Sequence, residues 1–321
     1  MTDTLQSPIA VAEPTKPTRT KKALLLCARI VFTVAIVGAV AYACISQWPQ
    51  VRGTFGTLTW PALAGALTAA VAGLLAQGMA FQRILIDLGY PVTARTANKI
   101  YLVGLTAKYL PGSVWSFVFQ MELGRRAGIP RARALLASLV CLGLSTTAAL
   151  VLSIPLLLKT SGTFALALLI VVPVALACSH PIVLTKLVNT FLRLTRAPQL
   201  DEKLSWRGVA TTLGWSFIGW IGFGTQLWML ASSQSGLGVS EWLICVAAFA
   251  LGLSAGTFGF LSPSGLGVRE AVIATALLPI APAGAGLALA MASRLVMTVA
   301  DLVGAGLATV MSMGHRHQSP K

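Results

Sequence analysis

Apolar runs of about 18 residues or more, each long enough to cross the hydrocarbon layer of a bilayer as a helix, recur along this 321-residue sequence. Backbone N–H and C=O groups inside lipid find no water, so each such run must satisfy its own hydrogen bonds, as a helix does. The expected fold is an all-α polytopic membrane helix bundle. It has six to eight spanning helices, re-entrant or broken helices besides, and a possible weak internal repeat. A soluble all-α protein is the alternative, and composition argues against it. Only 10% of the residues are charged, where a soluble domain carries roughly a quarter. That is too few to cover a water-facing surface.

Residues 1–22 are polar and end in the basic cluster Lys16, Arg19, Lys21 and Lys22, which reads as a disordered cytoplasmic tail. Residues 23–313 read as one membrane domain, and 314–321 as a second cytoplasmic tail. The run Ala23 to Ile45 is too long for the apolar core of a signal peptide and is expected as a retained helix. Further spans are expected at 61–86, 134–158, 162–178 and 208–232, with long apolar runs at 241–261 and 283–313. The basic segment Pro181 to Arg207 is either an interfacial amphipathic helix or a helix bridging two spans. Cys27, Cys44, Cys141, Cys178 and Cys245 are dispersed through apolar sequence and read as packing residues rather than a disulfide framework.

The net charge of +15 would suggest nucleic acid in a soluble protein. Here the basic residues fall in loops between apolar runs, so they report topology and contact with anionic head groups instead. Basic loops alternate with loops poor in Lys and Arg. This places both termini in the cytoplasm, and the expected location is a bacterial or archaeal cytoplasmic membrane. The loops on both sides of Ile100 to Gln120 are basic, so that segment must enter and leave on one side as a re-entrant hairpin. Its middle, Tyr109-Leu110-Pro111-Gly112-Ser113, has what a helix break needs: Pro removes a donor and Gly permits unusual dihedrals. A comparable break stands at Phe260-Leu261-Ser262-Pro263-Ser264-Gly265. Paired interruptions of this kind point to a transporter's binding site. Eight spans with one hairpin and six spans with two give the same parity.

Ionisable residues inside the apolar layer are costly, and each is a functional candidate. Of the nine acidic residues, only Glu122, Glu270 and Asp301 fall in or under it. The stretch Ser262 to Glu270 is a Gly-rich turn leading into an apolar helix. The unpaired N–H groups of that helix start suit an anion such as a lipid phosphate. Arg269 adds a fork of donors matching phosphate geometry, while Glu270 is either part of that site or a structural cap. Arg294 and Asp301 lie seven apart on one face of the last helix. They either line a polar pathway, pairing through another helix or water, or form a buried structural pair. Lys108 is either a head-group contact or a snorkelling interfacial lysine. Glu122, Arg125 and Arg126 read as a solvated cytoplasmic face, and Gly252 with Gly256 as a close helix contact. Nothing in the sequence supports a metal site, a P-loop or a hydrolytic triad.

The segments Lys108-Tyr109-Leu110-Pro111-Gly112-Ser113-Val114-Trp115 and Ser264-Gly265-Leu266-Gly267-Val268-Arg269-Glu270-Ala271 resemble the lysylphosphatidylglycerol synthase transmembrane-region family. Its members look like the flippase-like membrane domain of the multiple-peptide-resistance factor. The family's Leu-Pro-Gly break matches, as does its Gly-Gly-Leu-Gly-Val-Arg-Glu-Ala motif, with Ser264 in place of the first Gly. The family's arginine on the last helix looks like Arg294. The resemblance implies a lipid-translocating or lipid-handling role, with Pro111, Gly112, Gly265, Gly267, Arg269 and Glu270 as motif positions. Aminoacyl transfer in the two-part proteins belongs to a separate soluble domain, and none is expected in this chain.

The functional expectation is therefore a flippase-like transporter of an anionic or glycosylated lipid. A membrane-embedded lipid group- or glycosyl-transferase, or its non-catalytic subunit, is the alternative. The expected partners are membrane lipids, with neither nucleic acid nor cofactor; an oligomer or partner subunit is compatible with the sequence.

Overall fold

The computed structural model describes residues 59–110, 114–157, 163–194, 199, 204–235, 238–258, 267–281 and 283–313. The two tails, the apolar run at 23–45, Pro111, Gly112, Ser113 and the stretch Phe260 to Gly265 lie outside the described residues. Every regular element described is helical. In chain order these are α1 (Trp60–Asp87), α2 (Ala94–Asn98), a π-helical turn (Lys99–Val103), a 3-10 turn (Thr106–Tyr109) and α3 (Trp115–Arg126). Then come α4 (Arg131–Leu152), α5 (Ile154–Leu157), α6 (Thr163–Cys178), α7 (Pro181–Leu194), α8 (Trp206–Ser235), α9 (Val239–Phe258), α10 (Val268–Ala276) and α11 (Ala283–Met313).

Four of these stretches are long and apolar enough to cross a membrane: Trp60–Asp87, Arg131–Leu156, Val239–Thr257 and Ala285–Ser312. A fifth crossing exists if Leu169–Cys178 and Pro181–Leu194, bent by 74° against each other, count as one span. The span expected at 208–232 is present as α8, 30 residues long, but it is more polar than these four. Apolar side chains also remain on the outside. Val299, Leu302, Val303, Leu307 and Val310 form an exposed stripe on α11. Such a stripe is a liability in water and an ordinary surface against acyl chains.

Two units of the same design make up the bundle. In each, a long helix is followed by a helical hairpin and a second long helix: α1, the hairpin 94–126 and α4, then α8, the hairpin 239–276 and α11. Helices α1 and α8 run antiparallel along their length, since Gly65 meets Met229, Gly73 meets Gly219 and Phe223, and Gly208 meets Asp87. Helix α4 packs on α8 as α11 packs on α1, and α3 packs on α4 as α10 packs on α11. Matching polar contacts recur about 150 residues apart, as an inverted repeat requires. Ser145 donates to Gln77 Oε1 at 3.2 Å in the first unit, and Ser293 donates to Gln226 Oε1 at 3.1 Å in the second. Gly104 gives Gln120 of the opposite arm room to close in, and Gly252 does the same for Ile273. The internal repeat expected from the two breaks thus extends through both units.

The units meet through glycine. A Cβ on Gly73 would lie 2.7 Å from the Phe223 ring and 2.8 Å from the Gly219 carbonyl oxygen; one on Gly222 would lie 2.9 Å from the Ala69 carbonyl. These are backbone approaches that no side chain can share. Gly73→Ala is expected to destabilise the protein by about 1–3 kcal/mol, the usual range for overpacking. Gly143→Ala, where nothing lies within 4 Å of the new Cβ, is the control. Melting curves of the detergent-solubilised variants check the difference, and equal melting temperatures would contradict it.

Candidate functional site

The 3-10 turn of the first hairpin and the start of α10 both meet the middle of α11, at Asp301 and Arg294. The first leaves α2 through the π-helical and 3-10 turns, and its backbone is extended at Leu110, with φ −77° and ψ 147°. Helix α3 then returns beside it, where Gln120 Nε2 donates to the Tyr101 carbonyl at 3.4 Å. The sequence called for a hairpin with a break at Tyr109 to Ser113, and the helical ladder does stop at Tyr109. The second hairpin returns through α10, whose start is Gly267 at φ +87° and ψ −50°.

Four ionisable side chains are buried here: Arg269, Glu270, Arg294 and Asp301 are 7%, 1%, 6% and 3% exposed. Asp301 Oδ2 takes the Lys108 ammonium at 2.6 Å and the Tyr109 hydroxyl, which donates at 2.5 Å. Thr298 stands beside Tyr109. Glu270 Oε1 is ion-paired with Arg294 Nη1. Its other oxygen, Oε2, accepts from the Gly267 N–H at 2.8 Å and closes the first turn of α10. Arg269 lies over the Phe249 ring, 4.9 Å from its centroid. Its Nε and Nη2, with Asp301 Oδ1, are buried with no protein hydrogen-bond partner among the described residues.

The helix spacing that set Arg294 and Asp301 on one face is present, yet the two do not pair with each other. Each binds a different hairpin. Lys108 is ion-paired to Asp301, with its side chain 29% exposed. Glu270 caps the first turn of α10, as the structural account of it has it, and is also half of a buried ion pair. Gly267 makes the positive-φ start of α10 and is exposed. Pro111, Gly112, Ser264 and Gly265 lie outside the described residues. Tyr109 and Phe249 also belong to the site. Tyr109 stood beside Lys108 in the first break motif, whereas nothing in the sequence around Phe249 marks it.

Two ion pairs cancel here, and Arg269 is left over. A buried guanidinium with unmade hydrogen bonds costs several kcal/mol unless an anion or water completes it. Its fork of donors fits a phosphate. Among the described residues, no group of three or more His, Cys, Asp or Glu side chains converges as a metal site would.

Away from the interior, Glu122 gathers three arginines: Arg125 at 2.8 Å, Arg131 at 2.9 Å and Arg126 at 3.3 Å. Their guanidinium groups, Arg125 first, hold its carboxyl well below the usual carboxylate range. This cluster is largely exposed, as the sequence suggested.

Gly267→Ala tests the backbone at the start of α10. No atom of the described residues lies within 4 Å of the added Cβ, so the cost there is conformational. At a φ of +87° it is expected at about 1–3 kcal/mol. A fall in thermal stability checks it; an unchanged melting temperature would mean that this turn relaxes freely.

Residues 27–304 match a family model described as Lysylphosphatidylglycerol synthase TM region. No curated protein matches the chain.

Proposed function

The chain belongs to the Lysylphosphatidylglycerol synthase TM region family, and from that membership and the buried charges we propose that it moves an anionic or glycosylated lipid between membrane leaflets. The single observation that carries this reading is Arg269, buried beside α11 with two donors that meet no acceptor among the described residues. In lipid, a polar slot of this kind lets a head group cross while its acyl chains stay outside. The hairpin 94–126 then serves as a re-entrant element. The alternation of basic loops supports cytoplasmic termini in a bacterial or archaeal cytoplasmic membrane.

Reconstitution of the purified protein into liposomes, with fluorescently labelled lipids, tests the proposal. The expected result is faster leaflet exchange for lipids with an anionic or glycosylated head group. No acceleration across a broad lipid panel overturns it. In cells, a deletion that lowers outer-leaflet exposure of a lipid without lowering its synthesis supports transport; lost synthesis would favour a transferase.

A further inference from the structure

The five charges gathered at the site, Lys108, Arg269 and Arg294 against Glu270 and Asp301, do not sum to zero. Glu270 is neutralised by Arg294, and Asp301 by Lys108 with the Tyr109 hydroxyl as a second donor. Each carboxylate thus has a cation of its own. Arg269 has no carboxylate, only the face of Phe249, and its Nε and Nη2 meet no acceptor among the described residues. The empty site therefore holds one net positive charge.

We infer that the site takes one head group of net charge −1, that the filled site is electrically neutral, and that the empty site's return is the step that moves charge across the membrane. This rests on the lipid-moving reading above and adds its driving force and direction. A dianionic head group would leave the filled site negative, and a zwitterionic one would leave Arg269 uncompensated, so a single negative charge is selected. The membrane potential pulls the empty, positive site toward the negative face. Each cycle therefore delivers one lipid anion to the positive face, without ATP, a proton or a co-transported ion. One charge crossing 100 mV corresponds to a bias of up to about 50-fold.

Net movement and exchange separate the two kinds of step. Net movement requires the empty return, whereas one-for-one exchange uses the filled site alone. The full-length protein is reconstituted into phosphatidylcholine vesicles carrying a trace of fluorescent phosphatidylglycerol for net movement, and into phosphatidylglycerol-rich vesicles for exchange. A potassium gradient with valinomycin sets about 100 mV of either polarity. Net movement toward the positive face is expected to accelerate severalfold or more and to reverse its preference with polarity. Exchange is expected to change less than twofold. Arg269→Lys, which keeps the charge, is expected to retain the response, and Arg269→Gln to lose it. Net movement indifferent to potential, or exchange as sensitive as net movement, overturns the inference and leaves lipid movement standing. No lipid movement in any vesicle removes the functional reading itself, and this inference with it.

Discussion

Arg294→Met is expected to destabilise the protein by about 3–5 kcal/mol, and Glu270→Met in the same chain is expected to return most of that loss. Removing one partner of a buried ion pair strands the other charge, which is where most of such a cost arises. Here the stranded group is Glu270, 1% exposed and held at the first turn of α10. It cannot turn to solvent without unwinding that turn. Replacing both partners by apolar side chains of similar volume leaves nothing to desolvate, and such swaps are often neutral or better. Thermal unfolding of the two single variants and the double variant in detergent checks this as a double-mutant cycle. If the double variant is as unstable as the sum of the singles, the pair is not a pair. Transport by the double variant is expected to be lost even though the fold is recovered, because α10 is no longer tethered to α11 by charge.

The opposite pattern is expected at Arg269. Arg269→Gln should leave thermal stability unchanged or raised, because it removes a buried charge with unmade hydrogen bonds. Movement of an anionic lipid should fall at least about a hundredfold. Loss of one or two charge-assisted hydrogen bonds, at about 1.5–3 kcal/mol each, is enough for that. Arg269→Lys is expected between the two, since an ammonium keeps the charge but not the planar fork that stacks on Phe249 and grips a phosphate. Rates in proteoliposomes, set beside melting temperatures of the same preparations, separate function from folding. A clear loss of stability in Arg269→Gln would show that this guanidinium already has a partner, and the lipid site would then lie elsewhere.

Much of the candidate site was legible in advance, because acidic residues are so scarce. Glu270 and Asp301 stood out by elimination, and Arg269 and Arg294 by their place in or near apolar helices. The alternatives left open were alternatives of partner. Lys108 was open between a head group and the membrane interface; Arg294 and Asp301 could face each other or other elements. Spacing along one helix says which residues share a face, not what approaches that face. Tyr109 sits 192 residues from the Asp301 it binds, and no local pattern announces a contact of that range. Phe249 was illegible for the same reason, as one apolar residue among many until Arg269 lies on its ring.

The span at α8 shows the same division. Its helix was expected from its length and apolar content, but its role as the antiparallel partner of α1 was not. That role depends on Gly73, Gly219 and Gly222, and a glycine in an apolar run reads only as small until another backbone is seen touching it.

What the sequence determined by itself was local: which stretches are helical, where the ladder stops, and which residues carry charge into the interior. Those follow from the cost of unpaired backbone groups in lipid and from the dihedrals of Pro and Gly, and neither depends on what lies across the bundle. Only the tertiary structure decided that α1 and α8 pair antiparallel, that Gln77–Ser145 and Gln226–Ser293 are copies of one contact, and that Arg269 is the charge left without a carboxylate among the described residues. Several pairings of three cations with two carboxylates are compatible with the same chain. Coulomb attraction chooses among them by distance, and distances between separate helices are set only when the helices pack.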